Sequence, residues 1–143
     1  MILKVKKIHP NAVIPERSHS TDTGLDIFAV SKRVTELYVE YDTGIAVELS
    51  QDWWNPEADI QIRARSSVSD RGMWLANGIG TIDESYRGSL KVRFYYLNKD
   101  LLYNVGDKIA QLVVGIVAYP KVEVVEELSG TPRSNGGFGS TDA

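Results

Sequence analysis

The chain has 143 residues, 43% hydrophobic and 24% charged, with a net charge of −3, which points to one domain with a real core and no positive field for non-specific nucleic-acid binding. It contains no cysteine, so thiol nucleophiles, disulfides and cysteine-based zinc sites are excluded together. The opening apolar run is too short for a signal peptide and no later stretch suits a membrane span, so a cytoplasmic or otherwise intracellular soluble protein is expected.

Short strands are expected at 2–8, 25–30, 34–40 and 45–49, separated by turn formers such as His9-Pro10-Asn11 and Asp42-Thr43-Gly44. Further on, Ile60, Ile62 and Ala64 alternate with Gln61, Arg63 and Arg65, as in a strand with one buried face. Residues 66–72 form the best short helix candidate, with Ser66 or Ser67 as its cap. The stretch from Asn77 to Gly88 reads as a tight β-hairpin. Leu90, Val92, Phe94 and Tyr96 then alternate with Lys91, Arg93 and Tyr95. Runs rich in valine and isoleucine at 109–117 and 121–125 complete the strands. With no long amphipathic helix and no repeat, the pattern predicts an all-β sandwich or barrel over 1–130 and a flexible tail over 131–143.

Four segments carry groups suited to chemistry. Between Asn77 and Gly88, Gly78 and Gly80 let the main chain approach a ligand, Asp83 follows Ile82, and Tyr86 can pack on a sugar. The bland alternative is an ordinary hairpin with solvated acids. From Arg63 to Gly72, three arginines and three serines gather where a strand ends. They suit an anion as well as they suit capping and exposed charge. Gln111 sits inside an apolar run and needs a hydrogen-bond partner if buried. The tail from Arg133 to Ala143 holds one cation, one aromatic ring and adjacent hydroxyls among glycines. Alone it reads as a disordered chain end; with a nucleotide it offers stacking and phosphate contacts. His9 and His19 lack metal-ligand spacing, and a polyphosphate bound by an acidic protein needs local arginines and a divalent cation.

Taken in order, these segments resemble the five motifs of the dUTPases, over nearly the whole chain. Thr23-Gly24-Leu25-Asp26-Ile27-Phe28-Ala29 resembles the first motif, Arg65-Ser66-Ser67 with Gly72 the second, and Asn77 with Gly80 to Gly88 the third. Gly106 to Leu112 is similar to the fourth and Arg133 to Thr141 to the fifth. The resemblance implies a distorted jelly-roll β-barrel, assembled as a homotrimer with active sites shared between subunits. It implies hydrolysis of dUTP to dUMP and pyrophosphate, which limits uracil in DNA and supplies dUMP for thymidylate synthesis.

Roles follow from the same resemblance. Asp83 would activate the water that attacks the α-phosphorus, and Asp26 would support the site indirectly, through metal-bound water. Magnesium would be held mainly by the triphosphate. Asn77, Gly80 and Ile82 would line the uracil site, and Tyr86 would lie against the deoxyribose. Arg65, Ser66, Ser67 and Gln111 would serve the phosphates. Phe138 would stack on the base while Arg133, Gly139, Ser140 and Thr141 closed over the nucleotide. Ser134 departs from the pattern, standing where glycine usually follows the arginine. A dCTP deaminase of the same fold, and a dUTP-sensing interaction module, are the competing readings.

Overall fold

The structure, a computed structural model, describes residues 1–50 and 57–137. Among the described residues ten strands carry the fold: β1 (Ile2–Lys7), β2 (Leu25–Phe28), β3 (Ser31–Val34), β4 (Val39–Asp42), β5 (Ile45–Ser50), β6 (Ala58–Ala64), β7 (Met73–Leu75), β8 (Gly80–Ile82), β9 (Lys91–Tyr96) and β10 (Lys108–Ile116). One four-stranded sheet runs β2-β10-β6-β8 and a second runs β3-β4-β9-β7, with β1 paired to β5 alongside. Every pairing is antiparallel. The result is an all-β barrel of jelly-roll type.

Alternation places the core. Ile60 and Ile62 of β6 are buried while Gln61 and Arg63 turn outward, and Val92 and Phe94 of β9 are buried while Lys91 and Arg93 are exposed. Inward residues of both sheets meet in one apolar cluster. At its centre Tyr41, Phe94 and Tyr103 meet with ring centroids 6.0–6.2 Å apart, and the Tyr41 hydroxyl donates to the Tyr103 carbonyl at 3.0 Å. Edge-to-face contact fills the centre and the hydrogen bond spares the buried hydroxyl a desolvation penalty.

Four sequence expectations change. The run expected as a strand at 34–40 contains a hairpin turn between β3 and β4. The Thr35 hydroxyl accepts from the Leu37 and Tyr38 amides, competing with the ladder for those donors. The run 121–125 is not a strand: Val122 and Val124 are 86% and 94% exposed. Branched side chains favour a strand only where neighbours pack on them, and no described strand pairs there. The 77–88 stretch is not a hairpin either, because β7 pairs with β9 whereas β8 pairs with β6. Gly78, at φ 67°, makes the turn that hands the chain from one sheet to the other. Finally, Ser66–Arg71 is a single 3₁₀ segment whose N-cap is Arg65, without a side-chain cap, and whose left-handed C-cap is Gly72.

Candidate active site

The strand register divides the expected residues into two groups. Gly80, Thr81 and Ile82 of β8 lie opposite Ile62, Gln61 and Ile60 of β6. The antiparallel run therefore carries Asp83 toward the Asp59 end of β6, whereas Arg65 follows its other end. Six residues of strand separate those ends, about 20 Å.

The first group lines a cavity of about 550 Å³ between the sheets. Asn77, Gly80, Ile82, Asp83 and Tyr86 all border it, over an apolar floor that includes Ile62 and Leu90. That mixture, apolar walls with a few fixed polar groups, suits a planar heterocycle and a sugar. A larger cavity, about 690 Å³, opens on another side of Asp83 beside Glu48, Asp59 and Arg87. It lacks Asn77, Gly80 and Tyr86, so the smaller one gathers the residues expected around a nucleoside. Asp83 and Tyr86 are the two ends of one β-turn, closed by the Tyr86 amide donating to the Asp83 carbonyl at 2.9 Å. Arg87 clamps this turn by donating to the Glu84 and Tyr86 carbonyls. Asp83 is exposed, and among the described residues no donor reaches its carboxylate.

The second group is built on β2, β10 and the end of β6, where Asp26 pairs with Gln111 and Gln111 with Arg63 in adjacent ladders. Asp26 is buried, yet charged groups surround it. Arg65 Nε lies 3.1 Å from Oδ1, and Lys108 Nζ lies 2.9 Å from Oδ2. The Ser18 hydroxyl also donates to Oδ2 at 2.9 Å and accepts from Lys108 at 2.9 Å. Burial disfavours the Asp26 charge, but Lys108, Ser18 and Arg65 together outweigh it and hold the carboxyl below its ordinary range. Arg65 is fixed a second time, donating from Nη1 to the Lys108 carbonyl at 3.2 Å.

Gln111 meets the expectation of a partner within the protein, with Nε2 donating to the Ala64 carbonyl at 3.2 Å. Its amide fits only because position 24 is glycine: a Cβ there would lie 2.2 Å from Gln111 Oε1. Ser66 is exposed beside Arg65, while the Ser67 hydroxyl lies 3.4 Å from the Tyr103 hydroxyl. Ser18 and Lys108 had no role in the sequence reading. Lys108 is an ordinary strand-initial cation in sequence, and only the β10–β2 pairing brings it to Asp26.

In the tail, Arg133 donates from Nε to the Gly136 carbonyl at 3.0 Å within a local turn. Ser134 adopts φ 45°, a left-handed conformation that glycine takes without strain. Phe138, Gly139, Ser140 and Thr141 lie outside the described residues, as do Trp53 and Trp54. No group of three metal-capable side chains occurs among the described residues, nor does any helix long and apolar enough to cross a membrane.

A jelly-roll barrel with a nucleoside-sized cavity and a separate cationic corner defines a nucleotide-handling β-protein. Comparison with known proteins narrows it. The dUTPase family model matches residues 10–142. The deoxyuridine 5'-triphosphate nucleotidohydrolase of Clostridium acetobutylicum is 41% identical, covering 97% of this chain and 95% of that protein. That of a Hydrogenobaculum species is 43% identical, covering 99% and 98%. Among solved structures, a variant of the Staphylococcus bacteriophage 80alpha dUTPase with dUpNHpp superposes with a TM-score of 0.79 at 28% identity, covering 98% of each chain. A variant dUTPase of the S. aureus phage phi11, described with a structural Mg(II) ion, gives 0.73 at 27% identity, covering 89% of this chain and 98% of that one. The chain belongs to the dUTPase family. The deaminase reading falls away with that membership.

Proposed function

We propose that this protein hydrolyses dUTP to dUMP and pyrophosphate at sites whose nucleoside half and phosphate half come from neighbouring copies in a homotrimer. The strand register is the observation that carries the division. It leaves Asp83 and Arg65 of one chain about 20 Å apart, too far to act on one phosphate, so a second copy supplies the missing half. A soluble intracellular enzyme fits the cysteine-free sequence.

Uracil enters the cavity beside Asn77 and Gly80, where peptide N–H and C=O groups read its edge and select against the methyl of thymine. Tyr86 covers the deoxyribose. Asp83 then orients a water and takes its proton as the water oxygen bonds to the α-phosphorus. The bond from that phosphorus to its bridging oxygen breaks, and pyrophosphate leaves with the electron pair. Asp83 suits this task because its carboxylate is exposed and unpartnered among the described residues.

Asp26 has a different task. Three of its acceptor positions are filled by Arg65, Lys108 and Ser18, leaving capacity for one water. It holds Arg65 in place and can meet a metal only through that water. The described residues form no cage for a metal, which suits magnesium entering as part of the substrate. Carried by the triphosphate, the ion would supply positive charge to the phosphate oxygens. Ser66 and Gln111 add donors to that corner. The segment 131–143 is the lid, with Arg133 reaching the γ-phosphate and Phe138, Gly139, Ser140 and Thr141 closing over the nucleotide.

Pyrophosphate release from dUTP, measured beside dCTP, dTTP and UTP with and without magnesium, tests this function. Turnover confined to dUTP and dependent on magnesium is expected; equal turnover of dTTP would contradict the base-site assignment.

A further inference from the structure

Tyr86 lies on a surface with a missing side chain. A Cβ built at Gly88 would stand 2.4 Å from the Tyr86 hydroxyl, 2.6 Å from Cζ and 3.0 Å from Cε2. The first two distances are shorter than real side-chain contacts and the third is a tight one, so the ring occupies the place where a side chain at position 88 would be. Gly88 has no positive φ; its backbone admits alanine, and the atoms nearest a Cβ there all belong to the Tyr86 side chain.

The ring is also held at its far end. The Tyr86 hydroxyl donates to the Ser89 carbonyl at 3.0 Å. That carbonyl sits on fixed ground. The Ser89 hydroxyl donates to Asp42 Oδ1, an oxygen that also accepts from the Gly44 amide at 2.8 Å. The next residue, Leu90, is fully buried, and its amide donates to the Ile45 carbonyl at 2.9 Å. The loop is thus bolted to β4 and β5 immediately after the seat. An exposed tyrosine with a free hydroxyl would sample several rotamers; the gap at Gly88 and the Ser89 acceptor favour the one seen here.

We propose that Gly88 and the Ser89 carbonyl are positioning groups that seat Tyr86, and that selection of deoxyribose over ribose depends on this seat. The inference rests on the reading of Tyr86 as the residue against the sugar. A ring excludes a 2′-hydroxyl only if it cannot retreat from it, and the seat sets how near the ring stands. A methyl at position 88 lifts the ring off the seat, changing its distance from the sugar without touching Asp83.

The test compares kcat/KM for dUTP and UTP in the full-length enzyme and in Gly88→Ala, Tyr86→Phe, Tyr86→Ala and the Gly88→Ala/Tyr86→Ala double variant, with thermal midpoints as a folding control. Gly88→Ala is expected to lower the dUTP-to-UTP ratio about tenfold, the scale of one methyl-sized change in a specificity pocket. Its effect should appear more in KM for dUTP than in kcat. Tyr86→Phe, which keeps the ring but loses the Ser89 anchor, should lower the ratio by a smaller factor. In the Tyr86→Ala background, Gly88→Ala should change nothing further, since there is no ring left to displace. A ratio that falls in Tyr86→Ala but not in Gly88→Ala or Tyr86→Phe would overturn the seat and leave the sugar reading intact. A ratio unchanged in every variant would overturn both. If Gly88→Ala does not fold, the Tyr86→Phe ratio decides.

Discussion

Two carboxylates, Asp26 and Asp83, differ in nearly everything but their chemistry. Asp26 is buried in the ladder between β2 and β10, with two cations and a hydroxyl upon it. Asp83 follows a short edge strand, is exposed, and meets no donor among the described residues. A carboxylate tied to two cations is a poor base because each partner stabilises its charged form. One with free lone pairs can take a proton from water. On the proposed reading, the cluster around Asp26 is the pre-charged phosphate half, and Asp83 is the uncommitted base of the nucleoside half.

The sharpest way to break this contrast is Asp83→Asn. It keeps the shape of the side chain and removes the base, so turnover should fall about a thousandfold. Binding of a non-hydrolysable dUTP analogue, followed by calorimetry, should persist. Removal of residues 133–143 is expected to cost less. Losing Arg133 and the ring of Phe138 should lower kcat about a hundredfold, with the oligomer mass unchanged by light scattering. An undiminished rate would mean that the tail is no lid.

Asp26→Asn addresses stability as well as rate. It leaves Arg65 and Lys108 without their common anion, at a cost of about 2 kcal/mol, the scale of hydrogen bonds to charged groups. The sign of its pH dependence follows from the direction of the shift. The folded carboxyl titrates below its ordinary value of 3.8, so its stabilisation is complete above that pH and fades as pH falls through the lowered value. Denaturation curves of the parent and Asp26→Asn should stay a constant distance apart near neutrality and converge only below about pH 4. Convergence already near pH 6 would contradict the ion-pair cluster. The smallest effect belongs to Ser134→Gly. Relief of one left-handed residue outside the barrel should leave the thermal midpoint unchanged and move KM for dUTP by about threefold or less.

The sequence made the barrel legible wherever alternation was strict, as in β6 and β9, because one face of each strand is buried. It failed where local chemistry overrides propensity. Thr35 turns the chain inside a run that looks like a strand, and 121–125 has strand-forming residues without a strand to pair with. Asn77-Gly78 is a hairpin signal in sequence, yet the turn joins two sheets, since pairing partners are set by the whole barrel. The candidate residues were visible as types, and their grouping was not. Lys108 and Ser18 are ordinary until strand pairing brings them to Asp26, and Gly24 and Gly88 matter only for the side chains that fill their space. The distance between Asp83 and Arg65 is a property of register, which no motif spacing reveals.

Mixed oligomers test the divided site most directly. Asp83→Asn chains keep the phosphate half, and Gln111→Ala chains keep the nucleoside half. Each should be nearly inactive alone. Refolded together in equal amounts, random assembly should restore about a quarter of the sites if each site draws its halves from different copies. A mixture no more active than its separate components would contradict the account, because it would place both halves of every site in a single chain.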